Sequence, residues 1–240
     1  MAEYILFVFE GEKTEQSIVN SFTPYFISDD KRVIIYSAYK TDIYKLYMEV
    51  FDDEFLDVFE ILKEKNENLK ELDRQNFSQI YLFFDYDGHA HHASDDKINN
   101  LLSFFDEETD HGKLFISYPM VESIKNISDR NDFINTTFKI DKFTNYKQHV
   151  AEVSDKKLIH FNLYSKETWC DLIRIHCEKA NFIVSDELEF PSKRIEQSDV
   201  FLKQKEKHID TNNEVSIVSA FPLMILDYYG SGALLDIMSS

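Results

Sequence analysis

Four short runs of this chain, Tyr4–Phe9, Val33–Tyr36, Gln79–Phe84 and Lys113–Tyr118, are aromatic and β-branched with almost no polar alternation. Strands of that kind have no face to leave in water. They predict a sheet covered on both sides, which is the usual condition of a parallel sheet. Segments of helical period lie between them. Thr14 to Phe22 follows the first run, with Thr14 as the expected N-cap and Ser17 in the first turn. Ile43 to Leu72 carries Ile43, Leu46, Tyr47 and Val50, then Phe55, Val58, Phe59, Leu62 and Leu69, which predicts two successive helices. Asp95 to Phe105 sets Ile98, Leu101, Leu102 and Phe105 on one face. Strands alternating with helices give an α/β fold built on a parallel sheet.

Past residue 125 the pattern becomes mainly helical. Helices are expected at Ser165–Ala180, Lys193–His208 and Glu214–Leu226, the last kinked at Pro222, with one more strand candidate at Leu158–Leu163. The expected division is an α/β domain over 1–125 and a helical region over 126–240 packed against it. With 43% hydrophobic residues, 21 Phe and 13 Tyr, the chain can fill a sizeable core, and only 5 Gly and 4 Pro leave little room for linkers. Trp169 reads as a core or interface residue of a helix.

The N-terminus lacks a basic segment and its first apolar run is too short for a signal peptide. No run approaches the ~18 apolar residues that a membrane span needs, so no membrane partner is expected. Cys170 and Cys177 are seven apart in a helical pattern, which separates them by about 10 Å along the axis, too far for a disulfide. Reduced thiols point to the cytoplasm.

Two sequence features carry chemistry. The first run leads into Glu10-Gly11-Glu12-Lys13-Thr14-Glu15 before a helix begins, which places Glu10 at the carboxyl end of a strand, where open α/β sheets bind ligands. Gly11 allows a sharp exit or a close backbone approach there. The third run ends in Asp85-Tyr86-Asp87-Gly88-His89, and residues two apart project to the same side. Two carboxylates held together repel unless a cation lies between them, and hard oxygen ligands suit Mg²⁺ or Mn²⁺. His89, His91 and His92 crowd the following loop. His89, two residues from Asp87, is the candidate for a general base or an additional ligand.

The Glu-Gly-x-x-Thr-Glu exit, the DYDGH at 85–89 and the Ser117-Tyr118-Pro119-Met120-Val121-Glu122 continuation of the fourth run together resemble the TOPRIM family, and within it the compact RloB-like and AriB-like (OLD-like, PARIS-type) anti-phage proteins. The resemblance spans roughly residues 4 to 125. It implies a TOPRIM-like sheet, Glu10 as the essential acid, Asp85 and Asp87 holding Mg²⁺, and Glu15 and Glu122 as additional ligands. Lys125, just beyond Glu122, would steady charge on the phosphate in transit. It also implies a metal-dependent endonuclease, cutting RNA such as tRNA or else DNA, that acts as a defence effector under an ABC- or SMC-type ATPase partner.

The net charge of −18 bears on that expectation, because nucleic-acid binders gain affinity by neutralising phosphates with Lys and Arg. Residues 41–110 carry 19 acidic and 6 basic side chains, while 151–212 carry 12 and 10. Any polyanion would be held by the C-terminal half or by a partner. Two other readings compete. FFDYDG resembles the nucleophile strand of HAD-type phosphatases, with Asp85 attacking phosphate and Asp87 as acid/base, although His89 follows the Gly where Thr or Val is usual. A non-enzymatic acidic module on a TOPRIM shell is the other. For a small assembly protein the apolar run Val215 to Leu235 would be the contact, unless it is buried within the monomer, and a homodimer is a further partner expectation.

Overall fold

A computed structural model describes residues 4–11, 13–27, 33–38, 43–51, 57–86 and 95–240. The first half alternates strand and helix: β1 (Tyr4–Phe9), α1 (Thr14–Phe26), β2 (Val33–Ala38), α2 (Ile43–Phe51), α3 (Val58–Lys65), β3 (Phe77–Asp85), α4 (Asp95–Phe104), β4 (Asp106–Glu107) and β5 (Gly112–Ser117). Then come a 3-10 turn at Val121–Lys125, α5 (Arg130–Phe133), β6 (Thr137–Lys139), a second 3-10 turn at Ile140–Asn145, and α6 (Tyr146–Val153). The chain ends with α7 (Lys166–Ser185), α8 (Gln197–Gln204), α9 (Asp210–Asn212), β7 (Glu214–Ser216), α10 (Ala220–Tyr229) and α11 (Ser231–Ser239). The main sheet has the order β2-β1-β3-β5-β4. Its first four strands are parallel, and β4 adds a short antiparallel edge.

Alternation along each strand gives the sheet one aromatic and one aliphatic face. Phe7 pairs with Tyr81, Phe9 with Phe83, and Phe83 with Phe115, with ring centroids 5.8, 5.8 and 6.0 Å apart. Phe22 of α1 meets Phe7 edge-on at 6.3 Å, and Phe221 of α10 stacks on Phe83 at 4.6 Å. Trp169 of α7 backs this layer, 5.2 Å from Phe22, and its indole N–H donates to Ser21 Oγ at 3.1 Å. On the opposite face lie Leu6, Val8, Ile80, Leu82 and Leu114, all essentially inaccessible to water. Burial on both faces explains the absence of polar alternation in these runs. A bulge between the Tyr4–Phe77 and Ile5–Gln79 pairs turns Phe77 toward α3, where Phe59 meets it at 5.0 Å.

Several local expectations change. Glu214–Ser216 is a strand, not the start of a helix. It pairs antiparallel with β6, and Val218 bridges back to Tyr118. Val215, Ile217 and Val218 are all fully buried, so an apolar run there could not distinguish strand from helix. Helix α10 begins at Ala220. Pro222 therefore falls in the first turn, where its missing N–H has no intrahelical acceptor to lose and no kink is required. Instead of a strand at Leu158–Leu163 the chain makes 3-10 turns at Lys156–Leu158 and Phe161–Leu163, the first started by Asp155, whose carboxylate accepts the Lys157 N–H at 3.0 Å. The helix expected from Lys193 starts at Gln197, and a single π turn, Lys205–Ile209, follows it. Thr14 is the first residue of α1 rather than its cap, which is Lys13, and α1 runs on through Pro24. Cys170 and Cys177 are free thiols. No helix among the described residues is long and apolar enough to cross a membrane.

Candidate functional site

Because β1 and β3 are parallel neighbours, their carboxyl ends share one edge of the sheet. From that edge the chain leaves in opposite directions. The exit of β1 leads through α1 to β2 on one side, and the exit of β3 leads through α4 to β4 and β5 on the other. Such a divergence opens a crevice at which doubly wound sheets bind ligands. Glu10 stands one residue beyond β1, and Asp85 is the last residue of β3, paired with Ser117 of β5. Glu15, in the first turn of α1, and Glu122, in the 3-10 turn after the cis Tyr118–Pro119 bond, complete a wall of carboxylates. Glu10, Glu15 and Asp85 line an open cleft of about 450 Å³ together with Gly11, Lys13, Thr14, Val121 and Lys147, and Glu122 is buried next to Val121.

The backbone sets part of this geometry. Gly11 donates its N–H to Glu15 Oε1 at 3.3 Å, and a Cβ at position 11 would lie 2.9 Å from that oxygen. Glycine leaves room there for the Glu15 carboxylate and is not needed for an unusual dihedral. The Asp85 carboxyl is pushed well above the usual carboxylate range, first by burial and then by the charges of Glu10, Glu15 and Glu122, with only the Val121 N–H opposing. Glu122 is buried. Its Oε1 lies 3.5 Å from Lys147 Nζ, while its Oε2 has no hydrogen-bond partner among the described residues. A buried oxygen left without a donor is costly and calls for an explanation.

The C-terminal half holds the turn that carries Glu122. Asn126 donates to the Tyr146 hydroxyl at 3.0 Å, which fastens α6, and with it Lys147, against this turn. The Tyr146 phenol is pushed up, mainly by burial, with Glu122 and Asp85 adding to the effect and the Asn126 bond opposing it. From α7, His176 lies beneath the turn. Its Nδ1 accepts the Ser219 N–H at 3.2 Å, so its Nε2 carries the proton it shares with the Ile124 carbonyl at 3.3 Å. Burial lowers its pKa to about 3, which keeps the ring neutral. One turn further along, Lys179 is buried and donates to the carbonyls of Phe133 and Thr136, each at 2.7 Å.

The structure therefore places Glu10, Glu15 and Asp85 along one cleft, with buried Glu122 close enough to raise the Asp85 pKa. It does not bring Lys125 there. The Lys125 ammonium lies 5.0 Å from the Phe161 ring, and among the described residues the cations lining the cleft are Lys13 and Lys147. Lys147 escaped sequence reasoning because it is 62 positions beyond Asp85, with no local motif linking the two. Asp87, His89, His91 and His92 lie outside the described residues.

Among the described residues, no three His, Cys, Asp or Glu side chains converge as a ready metal site. The donor set still fits a hard divalent cation. It is all oxygen, it is crowded with like charge that a cation would relieve, and it contains the orphaned Glu122 oxygen. Compared with family models, curated proteins and solved structures, the chain matches none.

Proposed function

We propose that this cleft hydrolyses phosphodiester bonds with a divalent cation held by Glu10 and Asp85, joined by Asp87, and that the chain is a nuclease of the TOPRIM class. One observation carries the reading. Asp85 sits at the switch point of the sheet with its carboxyl pushed up by burial and then by three neighbouring carboxylates, an arrangement unfavourable to an isolated apo fold and favourable to a cation site. Bound Mg²⁺ or Mn²⁺ would polarise the phosphate and acidify a water. The chain supplies the rest. Glu10 and Asp85 would hold the cation, and the Gly11 N–H fixes Glu15 beside them. Lys147, with a side chain 69% exposed, extends positive charge over the cleft toward a phosphate oxygen.

The substrate proposed is RNA, tRNA included, or DNA, and the role is that of an anti-phage effector restrained by an ABC- or SMC-type ATPase. The motif resemblance supports this, and so does the −18 charge, which weakens unaided attraction to nucleic acid. The phosphoaspartate alternative has less support. Its nucleophile must be ionised and near positive charge, whereas Asp85 is surrounded by carboxylates that favour its protonated form.

The test is cleavage of RNA and DNA by purified protein with Mg²⁺ or Mn²⁺, alone and with an ATPase partner. Glu10→Gln and Asp85→Asn should each lose at least about 10²-fold in rate, as expected when a group essential to charge stabilisation is removed. Cleavage that survives both substitutions, or that the wild type never shows, would rule the proposal out.

A further inference from the structure

The cleft itself is acidic and would repel a polyanion. Charge of the other sign lies beside it. Residues 137–166 carry six lysines against Asp141, Glu152 and Asp155, a net of +3 in a chain of −18. The fold wraps this segment around the mouth of the cleft. Phe143 packs against Tyr86, the residue after Asp85, at 6.3 Å, which sets the Lys142 turn over the exit of β3. The Asn126–Tyr146 hydrogen bond brings Lys147 to Glu122. The Asp155 N–H donates to the Ile127 carbonyl at 3.0 Å, placing exposed Lys156 and Lys157 beside the end of the Glu122 turn. The turn at Phe161–Leu163 packs on α1, the opposite wall, and its Phe161 carries Lys125. The acidic residues of the segment are partly engaged within it: Gln148 donates to Glu152 at 3.0 Å, and Asp155 caps its own turn.

We infer that this lysine shoulder, with Lys142, Lys156 and Lys157 outside and Lys147 at the inner end, is the docking surface for the phosphodiester backbone of a single nucleic-acid strand. It rests on the proposed hydrolysis for the identity of the polyanion but not for its measurement, because binding needs no turnover. Exposed lysines on turns neutralise phosphates one by one, and the backbone they hold is led to the carboxylates by Lys147.

The experiment is fluorescence anisotropy of labelled 30-nucleotide RNA and DNA strands of one sequence, in EDTA, over a range of salt. Wild-type protein should bind at low salt. The triple variant Lys142→Glu, Lys156→Glu, Lys157→Glu should bind both strands at least about tenfold more weakly. The slope of log K against log salt should become shallower by about 2, at ~0.7 per single-strand phosphate contact. The matched reversal Lys203→Glu, Lys205→Glu on α8 and the turn after it should stay within about twofold. The triple Gln variant, expected to show the same direction, keeps the test open if charge reversal harms folding. No binding by the wild type, or equal loss in the α8 control, overturns the shoulder. Binding without cleavage refutes the hydrolysis and leaves the shoulder standing; cleavage with unaltered binding in both triple variants does the reverse.

Discussion

Replacing Asp85 by Asn should stabilise the ion-free protein at neutral pH, although it removes a central residue of the site. In the folded chain the Asp85 charge is penalised by burial and by three carboxylates, while in the unfolded chain it is solvated. Two unit charges ~8 Å apart repel by about 2 kcal/mol at an effective dielectric of 20. The cleft is open on one side and Lys147 offsets part of the field, so a net gain of about 2 kcal/mol is reasonable, or ~4–8 °C in Tm for a chain of this size. The pH dependence follows from linkage. A carboxyl whose folded pKa is raised binds more protons folded than unfolded between its ordinary value, roughly 4, and the raised one, so wild-type stability from this group falls as pH rises through that window. Asn does not titrate. The advantage of Asp85→Asn should be full above the window and should vanish as pH falls toward ~4. Circular dichroism melts in EDTA at several pH values measure it. A variant that is less stable at neutral pH, or an advantage independent of pH, would refute the electrostatic account. Saturating Mg²⁺ should stabilise the wild type by about 2.7 kcal/mol at a hundredfold excess over Kd, raising its Tm, and should do far less for the variant.

Other consequences are equally specific. Gly11→Ala should cost under about 1 kcal/mol in urea denaturation, because the atom its Cβ meets is the movable end of Glu15, yet cleavage should fall at least about tenfold as that carboxylate is displaced. Lys147→Ala should lower kcat/KM by about 10²-fold, whereas Lys125→Ala, whose ammonium sits at Phe161 and does not line the cleft, should stay within about threefold; steady-state kinetics on one oligonucleotide decide between them. Phe221→Ala should destabilise the protein by about 3–5 kcal/mol in equilibrium denaturation, since it removes the ring stacked on Phe83 beneath the site.

The sequence made the sheet legible where its chemistry was local. Each strand of the aromatic face announced itself because both of its sides are buried, and the shared edge of Glu10 and Asp85 was legible because they stand where two such strands end. Features created by distant pairing were not legible. β7 finds its partner 75 residues upstream in β6, so nothing within Glu214–Ser216 distinguishes it from the start of a helix. Lys147 reaches the cleft only because Tyr146 is buried against Asn126, and His176 supports the Glu122 turn from a helix whose sequence reads as ordinary core. Lys125 illustrates the converse. Its nearness to Glu122 in sequence suggested a shared site, but the 3-10 turn carries its ammonium to Phe161 instead.

The central claim is that Glu10 and Asp85 share one cation. Mn²⁺ binding followed by electron paramagnetic resonance, on wild type, Glu10→Gln and Asp85→Asn, tests it most directly. Binding should be saturable in the wild type and at least about tenfold weaker in each variant. Equal Mn²⁺ affinity in all three proteins would contradict it.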